Sequence, residues 1–257
     1  MSFLDDIVEI GTTIFGGNGI GAQLARTAAL GGVLYLLNNT NKSSGTPAAG
    51  TTATTPDPRN RITLAPNPEN RIPVVYGSAY TPGILTDAQI SNSNTTMHFV
   101  YTIAEVTGAR LSDGVASTFA FNDVWINDQR CVFQSDGITV DYTVDRDSNV
   151  DYSMQGLVRV YCYRAGSAKP VVPVGYSNTA LQAATAIVPN WTTYHAMSNL
   201  VFAVVRVDFN RDRNVTAAPS SVRFHITNSM TQPGDCIYDY MTNTMYGAGI
   251  AAGDIKV

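Results

Sequence analysis

The residues that look most like a reactive site come near the start of this 257-residue chain. Residues 14–32, IFGGNGIGAQLARTAALGG, have the form of a glycine-rich turn opening a helix. In such a turn, small residues let backbone N–H groups approach a pyrophosphate. A dinucleotide site also requires an acidic residue about 20 positions on. That place falls in NNTNKSSGTP, which has no carboxylate. A Tyr-x-x-x-Lys pair is absent and no alternating strand–helix pattern follows. The glycines therefore predict close helix packing or a flexible lead-in, and no cofactor is expected.

The other candidates for chemistry are weaker. His98, His195 and His225 stand in separate segments without HxH or HExxH spacing, so no metal is expected. His98 and His225 fall in strand-like runs, where a hydrogen-bonded histidine is the simpler expectation. Asp141, Asp145, Asp147 and Asp151 cluster in DYTVDRDSNVD, but a turn-rich hairpin gives none of the desolvation a glycosidase acid needs. The spacing also departs from a calcium-loop pattern. Asp123 and Asp128 flank Trp125, and no partner is expected for either. Neither G-x-S-x-G nor a P-loop occurs. Cys131, Cys162 and Cys236 are far apart and odd in number, which predicts reduced, buried thiols and leaves open one bridge between the Cys131 and Cys162 strands. No enzymatic activity is expected.

The elements that would position these residues divide by composition. Residues 1–39 are apolar and interrupted by glycines. Leu24, Ala25, Ala28, Ala29, Val33, Leu36 and Leu37 recur at helical spacing and predict a helix over 22–37, closed by Asn38-Asn39. Residues 40–61 are rich in Thr, Ser, Gly, Ala and Pro and predict a linker. From residue 62 to 257 the period changes to two. Runs at Ile72–Tyr76, Met97–Val106, Ser117–Ile126, Ile138–Val144, Gly156–Tyr163, Asn199–Phe209 and Val222–Ile226 predict strands, separated by turn signals such as Asn127-Asp128 and Asp136-Gly137. Helical breaks are expected at Ser177–Ile187 and Asp235–Thr244. The fold class expected is mainly β: an antiparallel barrel or sandwich with an N-terminal helix and a short C-terminal helix.

Charge narrows the function. Charged residues make up only 14% of the chain, against about 25% in an ordinary soluble domain. A net charge of −4 argues against gripping nucleic acid along a basic face, though not against lining a channel through which DNA passes. The lightly charged surface suits a protein covered by partners. The first ten residues carry Asp5, Asp6 and Glu9 and no basic residue, opposite to a secretory leader. The longest uninterrupted apolar stretch, 28–37, is too short to span a bilayer. Membrane contact is not expected, and the chain is expected to be made in a cytoplasm.

Two segments are more specific. Asn70–Asp87 reads NRIPVVYGSAYTPGILTD and is followed by TMHFVYTIAEV, which contains Glu105, and by DVWIND. Further on, NLVFAVVRVD precedes Asp235–Ile250, DCIYDYMTNTMYGAGI. These segments resemble the central tail hub, or host-specificity protein, of lambda-like siphophages. The resemblance covers about residues 70–257 and rests on Ile72, Pro73, Val74, Tyr76, Gly77, Glu105, Asp239, Tyr240, Thr242, Asn243, Tyr246, Gly247 and Gly249. A helix ending in a left-handed Asn243, Tyr246 turned back into the core and glycines at positive φ is the local unit expected there.

The resemblance implies a structural virion protein of a tail tip or baseplate. It implies a homotrimer beneath a distal tail protein ring, lining or closing the tube, receiving the tape-measure C-terminus and meeting other hub or fibre proteins. DNA would meet it only in transit. Members of that family continue for many hundreds of residues beyond the position of Val257, so receptor recognition is not expected of this chain. On this reading Leu24, Ala28, Val33, Leu36 and Leu37 are candidate partner contacts, bundling on the trimer axis or docking on the tape measure, with packing on the chain's own β-domain as the alternative. A baseplate adaptor or assembly protein is the competing expectation. A carbohydrate-binding β domain using Trp125 and Trp191 is a further one.

Overall fold

A computed structural model describes residues 70–255; the helix expected over 22–37, with its five candidate contacts, and the 40–61 linker lie outside the described residues. The period-two runs become eleven strands: β1 (Ser78–Pro82), β2 (Ile84–Ser91), β3 (Thr96–Glu105), β4 (Phe119–Ile126), β5 (Gln129–Phe133), β6 (Val140–Val144), β7 (Val150–Asp151), β8 (Val158–Tyr163), β9 (Pro170–Val171), β10 (Leu200–Asp208) and β11 (Val222–Asn228). One helical turn, α1 (Ala184–Ile187), and one longer helix, α2 (Pro233–Thr242), complete the set with a 3-10 turn at Ala252–Asp254.

The strands make two antiparallel sheets, in the orders β1-β11-β4-β5-β6-β7 and β2-β3-β10-β8-β9. Among the described residues neither closes on itself, so a barrel is not shown; a sandwich fits. Phe224 of β11 meets Tyr101 of β3 across the sheets, ring centroids 6.5 Å apart, and meets Phe121 of β4 edge-on.

The two sheets use their faces differently. β11 alternates buried and half-buried residues along its whole length, leaving Arg223, His225 and Thr227 outward. β3 and β10 are buried almost throughout. The segment containing α1 covers their outer face, packing Ala184, Val188 and Trp191 on Val100, Tyr163, Phe202 and Val204. Continuous apolar runs such as VFAVV are what a strand covered on both sides requires.

Three expectations need correction. Ile72–Tyr76 contributes only an isolated parallel bridge, Val74 to Glu105. Pro73 has no N–H to give a ladder, and Gly77, at φ +68°, turns the chain before β1 begins. The helix expected over Ser177–Ile187 shrinks to the four residues of α1. Asn178 takes the Ala180 N–H on its own side chain and donates to the Asp136 carbonyl, so it competes with a helical ladder. The run at 78–91, not expected as strand, becomes β1 and β2 with Gly83 between them. A Cβ at Gly83 would lie 2.7 Å from that of Tyr101, so only glycine lets the chain cross between sheets there.

Candidate functional site

The segments Asn70–Asp87 and Asp235–Ile250 meet at one buried carboxylate. Asp239 lies on α2 and is 5% exposed. Its Oδ2 accepts hydrogen bonds from Tyr76 Oη and Tyr246 Oη, each at 2.7 Å, and its Oδ1 accepts one from the Gly108 N–H at 2.9 Å. One turn earlier, buried Asp235 accepts from Ser112 N–H and Oγ at 2.9 and 2.8 Å. The helix is therefore fastened by two carboxylates whose buried acceptors have partners, as burial of charge requires. Burial first, and then the bond to Asp239, push both tyrosine hydroxyls well above their ordinary range, so they stay protonated donors.

The remaining motif residues support this joint. Glu105 N–H donates to the Pro73 carbonyl at 2.9 Å beside the Val74 bridge, and burial raises the Glu105 carboxyl. Ile72 is half-buried in the same segment. Gly77 exchanges backbone bonds with Met230 and Asn228. Buried Asn228 in turn donates to the Val75 carbonyl at 2.7 Å and to Thr107 Oγ1 at 2.8 Å. Thr242 Oγ1 donates back to the Tyr238 carbonyl.

The helix end departs from expectation. Asn243 is extended at φ −68°, not left-handed, and its side-chain oxygen receives the N–H groups of Met245 and Tyr246. Gly247 is needed for closeness: a Cβ there would lie 1.9 Å from the Tyr240 carbonyl oxygen. Gly249 does sit at positive φ, +65°. Tyr246 turns back toward Asp239 as expected, though it stays half-buried.

The orientation of α2 is unusual. Asp235 and Asp239 face inward, while Ile237 (60% exposed) and Tyr240 (53%) face outward. Met245, 83% exposed, and exposed Ile250 follow in the glycine turn, which folds onto the helix end through Ala248 N–H to the Tyr240 carbonyl and Ile250 N–H to the Met241 carbonyl. An ordinary surface helix points its apolar stripe to the core. Here polar hydrogen bonds hold the helix, Cys236, Tyr238 and Met241 are half-buried, and Ile237, Tyr240, Met245 and Ile250 remain outside.

A second constellation was not anticipated from sequence. On the outer face of neighbouring strands β1, β11 and β4, Ser78 Oγ lies 2.9 Å from His225 Nε2, and His225 Nδ1 lies 3.2 Å from Asp123 Oδ2. Tyr80 stacks on the His225 ring, centroids 4.3 Å apart at 13°. Arg130 Nη1 approaches Asp123 Oδ1 at 3.7 Å, and Arg223 pairs with Asp128. The expectation that Asp123 and Asp128 stand without partners is thus overturned. The only sequence signal was period two: Ser78 and Tyr80 share a face, but which strands lie beside them is a matter of topology.

Cys131 and Cys162 are buried free thiols, and Cys236 is a half-buried free thiol. Asp145 accepts from the N–H groups of Asp147 and Asn149 within its own exposed turn, and half-buried Asp151, at the end of β7, accepts from the Ser153 N–H. No group of three or more His, Cys, Asp or Glu among the described residues is arranged to hold a metal ion. Trp191 is buried and donates to Asp87 at 2.7 Å, and the Arg223 guanidinium lies over the Trp125 ring. An open cavity of about 390 Å³ beside Trp191 is lined by Ser91, His98 and Arg206. The His98 Nδ1 has no protein partner, but it also has no exposed surface, so it offers the cavity nothing. No helix among the described residues is long and apolar enough to cross a membrane.

Comparison of the chain with protein-family models and with curated proteins gives no match.

Proposed function

We propose that this chain is a structural component of a bacteriophage tail tip or baseplate, a hub subunit that works by assembling. It would line or close the tail tube as a homotrimer, anchor a distal tail protein ring and the tape-measure C-terminus, and let DNA pass at ejection. The resemblance of residues 70–257 to the hub family is the starting point. The observation that carries the reading further is the outward apolar face of α2 and its turn: Ile237, Tyr240, Met245 and Ile250. Exposed aromatic and methionine side chains are enriched at interface cores, where charge is depleted. Tyr76 and Asp239, from opposite ends of the described residues, joined in one part-buried cluster, also fit a single hub unit in which both segments serve one purpose.

The test is the solution mass of the full chain by light scattering over a range of concentrations, for the wild type and for Tyr240→Ser and Met245→Asp. A discrete trimer that both substitutions dissociate supports the reading. A monomer at all concentrations that also fails to join purified tail particles overturns it.

A further inference from the structure

We propose that Ser78, His225 and Asp123 form an acyl-transfer centre on the outer face of the sheet, acting on exposed carboxylic esters with small acyl groups. This is independent of the assembly reading, and each can fail alone. The connectivity is that of an activated serine: one imidazole nitrogen on the hydroxyl at 2.9 Å and the other on a carboxylate at 3.2 Å. A hydroxyl alone would not fix the tautomer of the imidazole, because it can donate or accept; the carboxylate does. With Asp123 holding the N–H at Nδ1, Nε2 is left as the base toward Ser78.

The backbone supplies a further part. Among the described residues β1 is the edge strand of its sheet. Gly77 bonds on both sides toward β11, through Asn228 N–H to its carbonyl and its own N–H to Met230. The antiparallel alternation then turns the main chain of Ser78 to the open edge. The Ser78 N–H therefore stands beside its own hydroxyl, where a donor would meet the oxyanion of an acyl intermediate. Ser78 is exposed, and Tyr80 covers one face of the imidazole. Approach is thus along the strand edge. With Ser78 exposed and Tyr80 against the imidazole, a small ester displayed on a larger surface is the substrate class that fits this face.

In the reaction, Ser78 Oγ bonds to the acyl carbon as its proton passes to His225 Nε2. The ester C–O bond breaks, and the leaving alcohol takes that proton. Water then attacks the acyl-serine with His225 again accepting a proton, which returns to Ser78 Oγ as the acid departs. One ester and one water give one acid and one alcohol. Ser78 and His225 are the catalytic residues; Asp123 is a positioning residue.

The full chain would be treated with a fluorophosphonate, which loses fluoride as Ser78 Oγ bonds to phosphorus, and the modified residue mapped by mass spectrometry. Hydrolysis of p-nitrophenyl acetate would be followed in parallel. The expected result is a single modification at Ser78 and ester hydrolysis, both slowed about 100-fold or more in His225→Gln. Asp123→Asn should lower kcat with KM unchanged, and Asp123→Glu should restore part of it. Melting curves of each variant identify any that fail to fold, and Ser78→Ala, at an exposed position, should melt like the wild type. The proposal is overturned if Ser78 stays unmodified in folded protein, or if its modification rate is the same in folded His225→Gln.

Discussion

Tyr76 and Asp239 stand 163 residues apart in the chain and share a 2.7 Å hydrogen bond. That bond, with the equal one from Tyr246, makes the first described segment and the C-terminal helix parts of a single joint. Its physical consequence is asymmetry. The carboxylate is expensive to bury, but once it is buried, removing it strands three donors.

Asp239→Ala should therefore destabilise the protein strongly, by about 3 kcal/mol or more, because Tyr76, Tyr246 and the Gly108 N–H lose their acceptor. Tyr76→Phe removes one donor and leaves the carboxylate with two, and should cost about 1 kcal/mol. Urea unfolding of the two variants measures the difference. Equal costs would mean the cluster does not act as a unit.

The glycine turn separates two reasons for glycine. Gly247→Ala places a methyl group against the Tyr240 carbonyl and should cost about 2–3 kcal/mol, because the turn must move off the helix. Gly249→Ala has room but sits at φ +65°, and should cost only about 1 kcal/mol. The order of melting temperatures decides it; a Gly249 variant less stable than the Gly247 variant would contradict the close approach.

Thiol chemistry should follow burial. Burial pushes the Cys131 thiol up to about 12 and Cys162 higher still, and both are fully enclosed. Cys236 is raised too, by burial and by Asp235, but it is partly open. Native protein at neutral pH should take up iodoacetamide slowly at Cys236 and not at the other two, whereas denatured protein should take up three equivalents. Peptide mapping gives the count.

Acid should act through Asp208. Burial works against its ionised form, but Thr96, Arg206 and Arg159 outweigh that and hold the carboxyl below its ordinary range. A depressed carboxylate contributes stability above its unfolded pKa and loses it as pH falls through the folded one. Asp208→Asn should therefore melt below the wild type at pH 7, and the gap should narrow as pH drops below about 4. A gap that stays constant down to pH 2 would mean the ionised form is not what Asp208 contributes.

Much of the strand content follows from local pattern, since period two and turn chemistry are properties of adjacent residues. Asn127 and Asp128 both adopt positive φ in a two-residue hairpin, as that pair demands, and Asp136-Gly137 also turns as expected. Local pattern failed where a distant partner decided the outcome. Residues 177–183 carry helix-compatible alanines, yet Asn178 is engaged by Asp136 across the fold. β1 and β2 are recognisable as strands only because β11 and β3 lie alongside them.

The sequence by itself determined a mainly β chain, its hairpin turns and a C-terminal helix. Each of these depends on residues a few positions apart. Only the tertiary structure decided that the described strands form two open sheets, that Asp239 gathers Tyr76, Tyr246 and Gly108, that α2 leaves Ile237 and Tyr240 outward, and that Ser78, His225 and Asp123 form one row. Those are relations among strands and a helix remote in the chain. Their partners are set by sheet order and register, which period and composition leave free.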